Sequence, residues 1–91
     1  MDKKREAIKH MADMLEIPRD LVLDLPKLTI TGRSEIHLEN HRGIIEYSLN
    51  RVRVNLSRGY LELEGDAFVI KALLPDELYI SGEIRSIKYL D

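Results

Sequence analysis

The chain contains no cysteine and no tryptophan, and aromatic residues make up only 5% of it. Without thiols there are no disulfide staples and no thiolate metal site, and nothing ties folding to an oxidising compartment. Neither sign of charge dominates: 14 Lys and Arg stand against 16 Asp and Glu, for a net charge of -2. No global positive field therefore draws the chain to nucleic acid or anionic lipid, and the balance points to a protein partner. No apolar run approaches the roughly 18 residues that cross a bilayer, so direct membrane insertion is not expected. The basic start Met1-Asp2-Lys3-Lys4-Arg5 leads into a stretch broken by His10, Asp13 and Glu16, not into an apolar signal segment, and the chain reads as cytoplasmic. Neither G-x-G-x-x-G, a Walker sequence nor G-x-S-x-G occurs, and Ser34, Ser48, Ser57, Ser81 and Ser86 fall at strand ends or exposed strand positions. No cofactor, metal or catalytic residue is expected, and the chain is read as non-enzymatic.

What is present is alternation. From Leu28 to Tyr89 the sequence repeats short apolar/polar strands, clearest in Arg51-Val52-Arg53-Val54-Asn55-Leu56 and Tyr60-Leu61-Glu62-Leu63-Glu64. Period two places one face of each strand in a core. Strands are expected over 27–31, 34–39, 43–48, 51–56, 59–64, 67–71, 77–81 and 83–89, separated by Gly32, Gly43, Gly59, Gly65, Gly82, Asn40, Asn50 and Leu74-Pro75-Asp76. Such short links cannot carry helical crossovers, which predicts a small antiparallel meander, sandwich or roll of about seven or eight strands. A short β-solenoid is the alternative, because Ile30, Leu38, Ile45, Val54, Leu63, Ile70, Ile80 and Ile87 recur at short, uneven steps. Ahead of the strands, Ile8, Met11, Ala12, Met14 and Leu15 form the stripe of an amphipathic helix over 1–17, closed by Pro18. A Pro-flanked joint over 18–26 leads to the β domain, 27–91, in a chain of one domain overall. A chain of 91 residues buries only about 60 to 65% of its unfolded surface, so self-association through sheet edges is a fair expectation.

His37, Glu39 and His41 form the cluster most open to a metal or proton-transfer reading. On one extended strand they share a face but stand roughly 7 Å apart at each step, too spread for one ion. Glu39-Asn40-His41-Arg42-Gly43 also reads as a turn, where polar residues need no further reason. Arg51, Arg53 and Arg58 form a local basic group, with Lys3, Lys4 and Arg5 a second. They support a small DNA-associated regulator as the alternative function, although no recognition helix follows Ala7 to Pro18. The favoured reading makes Arg51 and Arg53 outward partners of buried Val52 and Val54, paired across strands with Glu62 and Glu64.

The segments Leu21 to Gly32 and Ile36-His37-Leu38-Glu39-Asn40-His41-Arg42-Gly43-Ile44 resemble the YabP/YqfC family of endospore-formation proteins, most closely its YqfC branch. The likeness continues through Arg51 to Asn55, Gly59 to Gly65, Ile70 to Leu74 and Gly82 to Tyr89, and so spans almost the whole chain. It implies a sporulation protein of the mother cell, with a structural or assembly role at the spore envelope. It also implies a membrane-spanning sporulation protein, YqfD, as genetic neighbour and candidate partner, and through such a partner a peripheral place at the forespore outer membrane. The family supplies no catalytic residue to carry over. The expected interaction surface is the Asn40-His41-Arg42 turn with Arg51, Arg53 and Arg58, beside the sheet edges.

Overall fold

The computed structural model describes residues 25–91; the helix expected over 1–17 and most of the expected joint lie outside the described residues. Six strands form: β1 (Lys27–Thr31), β2 (Glu35–Glu39), β3 (Ile44–Tyr47), β4 (Arg51–Asn55), β5 (Tyr60–Leu73) and β6 (Glu77–Leu90). All pair antiparallel in one sheet of order β1-β2-β6-β5-β4-β3. The first four strands match expectation to within a residue. The last four expected strands are two, because 59–64 joins 67–71 in β5 and 77–81 joins 83–89 in β6. Antiparallel pairing throughout also sets aside the solenoid, whose stacked coils would pair in parallel.

Gly65 and Gly82, expected to end strands at turns, lie inside β5 and β6 instead. Here the register slips: Glu64 pairs with Ser86 but Gly65 with Ile84, and Asp66 pairs with Glu83 but Val69 with Ser81. Such bulges bend a strand, and Ala67 takes a left-handed φ of 54° within this one. Phe68 is fully buried against both glycines. A Cβ on Gly82 would come 2.6 Å from Phe68 Cδ1, and one on Gly65 would meet the ring and the Glu83 carbonyl. These glycines therefore make room for a side chain within a continuous hairpin.

The bend sets the architecture. β2 ends at Glu39, opposite Glu77, at the closed end of the β5–β6 hairpin. β3 begins at Ile44, which pairs through Val54 and Leu61 with Tyr89 at the open end. In a flat sheet those points would be about 40 Å apart at roughly 3.3 Å per residue, yet the link between them, Asn40 to Gly43, spans at most about 17 Å. The hairpin therefore folds over at Gly65 and Gly82. The first layer holds β1, β2 and residues 77–81 and 69–73; the second holds β3, β4 and residues 60–64 and 86–90. One core joins them, with Ile36, Leu38, Leu78 and Ile80 from the first layer, Val52, Val54, Leu61 and Leu63 from the second, and Phe68 between. Both outer hairpin turns dock on the bend: Gly82 and Ile84 donate to the carbonyls of Ser34 and Arg33, and Gly65 and Phe68 donate to those of Asn50 and Leu49.

Candidate functional site

The Glu39 to Gly43 motif carries the chain from one layer to the other. Asn40 takes a left-handed φ of 63°, which its short polar side chain tolerates. Its backbone N–H donates to Asp76 O at 2.7 Å, and its Nδ2 donates to Leu25 O at 2.6 Å. His41 points inward and is only 4% exposed. Its Nδ1 accepts from the Gly43 N–H at 2.9 Å, which leaves Nε2 as the donor to Leu74 O at 3.0 Å and Glu77 O at 3.2 Å. Arg42 N–H then donates to Asn55 O, and Asn55 N–H to Gly43 O. The ring of His41 thus ties the closed end of the long hairpin to the crossing between layers. In the expected interaction surface it is Asn40 and exposed Arg42 that meet solvent, while His41 fastens the turn beneath them.

The second layer's outer face carries the expected ladder. Arg51 stands opposite Glu64, and Arg53 opposite Glu62. Arg51 reaches Glu62 and Glu64 at 3.5 Å each, and Arg53 reaches Glu46 at 3.4 Å and Glu62 at 3.8 Å. Arg53 also lies over the Tyr60 ring, 5.9 Å from its centroid. Although it sits on the outer face, Glu62 is only 7% exposed because two guanidinium groups cover it. A hydrogen bond with the Glu62 carboxyl is the main reason Glu64 lies below the ordinary carboxylate range, with Arg51, Lys88 and Arg85 adding to it against the effect of burial. An open polar depression of ≈ 240 Å³ adjoins the ladder, lined by Glu46, Ser48, Asn50, Arg51, Glu64 and Arg85. Ser48 Oγ there donates to Asn50 Oδ1 rather than to a base. Arg58 stands apart at the β4–β5 turn, 3.8 Å from Asp91.

The first layer's outer face holds a block of four side chains on two neighbouring strands. His37 and Glu39 lie on β2, and Tyr79 and Glu77 stand directly opposite them on β6. His37 and Tyr79 stack with centroids 4.2 Å apart and planes at 9°. His37 Nε2 lies 3.0 Å from Glu77 Oε1, and the Tyr79 hydroxyl donates to the same oxygen at 3.3 Å. Burial raises the Tyr79 phenol above its ordinary value, and the negative charge of Glu77 and then of Glu39 raises it further. Of the sequence-level cluster His37, Glu39 and His41, the first two meet here and the third does not, because the chain turns inward after Asn40. Glu77 takes its place. Glu77, 40 positions along the chain from His37, could be joined to β2 only by strand order, which alternation alone does not encode.

Among the described residues no helix is long and apolar enough to cross a membrane. No solved structure matches the chain. Over 77 residues it is 46% identical to the uncharacterized protein YqfC of Bacillus subtilis strain 168, covering 85% of this chain and 83% of that one. The YabP family model matches residues 24–91, the whole β domain. The chain therefore belongs to the YabP family, the sporulation-associated YabP/YqfC group that its motifs resemble.

Proposed function

We propose that this chain is a non-enzymatic assembly module of the mother cell, recruited to the developing spore envelope through a protein partner, with YqfD as the candidate. The reading rests on family membership and on one structural feature, the regular edge of β6. Residues 86–90 pair in unbroken register with Tyr60 to Glu64 on one side and with no other strand among the described residues. The edges offered by β3 and by the second half of β5 carry bulges, which obstruct pairing with a new strand, and the edge of β1, though regular, carries no aromatic side chain. The β6 edge has no bulge over these five residues and presents Tyr89, 61% exposed. Unpaired backbone donors and acceptors beside an exposed aromatic suit an added strand from another chain. The DNA-associated alternative loses its main support, because Arg51 and Arg53 are engaged with Glu46, Glu62 and Glu64.

A tagged copy purified from sporulating cells tests the proposal. A membrane or envelope protein should co-purify with the wild-type chain and with Val69→Lys on the bulged edge, but not with Tyr89→Lys. Retention of the partner by Tyr89→Lys would remove the β6 edge from the mechanism, and recovery of no envelope or membrane protein at all would remove the assembly role.

A further inference from the structure

Two carboxylates placed directly opposite each other on neighbouring strands repel, and Glu39 and Glu77 are such a pair. Among the described residues the only cation in register beside them is Lys27, opposite Glu39 on β1, so one ammonium faces two carboxylates there. Into the same block projects the His37 imidazole, its orientation fixed by the Tyr79 stack. The donor atoms of His37, Glu39 and Glu77 all lie within 4.8 Å of one another, and each side chain is half-buried. We infer that these three residues bind a first-row divalent transition-metal ion, for which zinc is the representative.

The chemistry follows from the positions. His37 Nε2 and Glu77 Oε1, 3.0 Å apart, already stand at the separation of two ligands on one ion, since bonds of about 2.0 to 2.2 Å place tetrahedral donors roughly 3.3 Å apart. The metal takes the place of the proton between them. Glu39 closes the third position by a change of side-chain rotamer, and water completes the shell on the solvent side. An imidazole with two carboxylates suits zinc, cobalt or nickel, whereas magnesium and calcium favour all-oxygen sets. Binding would also neutralise the facing carboxylates and clamp β2 to β6. None of this depends on the assembly role or on the β6 edge, which lies in the other layer.

Calorimetric titration of the chelator-treated full chain with zinc, together with cobalt absorption spectra, tests the site. The wild-type chain should take up one equivalent of zinc, and cobalt should give visible ligand-field bands. Magnesium in tenfold excess should displace neither. His37→Gln and Glu77→Gln should each weaken binding at least about tenfold and abolish the cobalt bands, while Tyr79→Phe, which keeps the stack, should stay within about threefold. Circular dichroism of the metal-free variants separates lost ligation from lost folding, and Glu39→Gln provides a further ligand variant should either of the others unfold. Absence of saturable zinc binding by the wild-type chain overturns the inference. Undiminished binding by folded His37→Gln does so equally, since it assigns the metal to another histidine.

Discussion

The outer faces of the two layers follow the same construction, a polar ladder on paired strands above a shared core, and arrive at opposite electrostatics. In the second layer each ladder carboxylate meets a guanidinium: Arg51 faces Glu64, and Arg53 faces Glu62. The first layer places Glu39 opposite Glu77, and His37 opposite Tyr79. The chain's near-neutral balance of 14 basic and 16 acidic residues conceals this segregation. Cross-strand register therefore decides which polar side chains are consumed in holding the sheet and which remain available to an external ligand. A ladder whose charges already answer one another has little left to offer an ion. One with facing carboxylates does.

The comparison presupposes that the layers are halves of one cooperative unit, and Phe68 is the place to break it. Its ring is fully buried at the bend, against Gly65 and Gly82, where the hairpin passes from one layer to the other. Phe68→Ala should cost about 3 to 5 kcal/mol in urea unfolding, the largest effect considered. Amide exchange should accelerate in β2 and β4 together. Acceleration confined to one of them would show that the layers fold separately and that their faces are not parts of one design.

Smaller effects of opposite sign should separate the faces. Glu62 is almost fully covered by Arg51 and Arg53, so Glu62→Gln leaves two cations without their shared counter-charge. A loss of about 1 to 3 kcal/mol is expected, reduced by the partial exposure of both arginines. In metal-free protein Glu39→Gln should instead stabilise the fold, by about 0.2 to 1 kcal/mol, because it relieves the repulsion from Glu77. Chemical denaturation of the two variants side by side reads both signs. Destabilisation by Glu39→Gln would mean that Lys27 already settles the first layer's charge.

Much of this molecule is legible in its alternation, and what is not has a definite cause. Val52 and Val54 inward with Arg51 and Arg53 outward follows from period two, and so does the pairing with Glu62 and Glu64, since β4 and β5 are neighbours in sequence joined by a short turn. Gly65 and Gly82 read as strand ends because a glycine that ends a strand and a glycine that admits a buried ring look alike in sequence. What distinguishes them is Phe68, whose packing on both appears only when the hairpin is folded. Glu77 and Tyr79 escaped the reading of His37 and Glu39 for a related reason: β2 pairs with β6, a partner far along the chain, and no local signal fixes that register. His41 shows the reverse case, since its motif reads as a turn in the sequence while the crossing that its ring holds shut exists only in the fold.

Acid provides the finest contrast between the layers. Glu64 is held below the ordinary carboxylate value of 4.5, first by its hydrogen bond with Glu62 and then by Arg51, Lys88 and Arg85. A carboxyl whose value is lower in the folded chain than in the unfolded one adds stability that is fully present above the unfolded value. That contribution is lost as pH falls through the folded value, so it fades below about 4.5. Melting temperature followed from pH 6 downward should therefore fall less steeply in Glu64→Gln than in wild type once that value is passed. Glu64 is only half-buried, which keeps the difference the smallest of the set, and raised ionic strength should narrow it further by screening the three cations. An identical acid limb in the two proteins would show that the Arg51 ladder holds Glu64 no more tightly than water does, and the second layer's face would then owe its order to buried Glu62 alone.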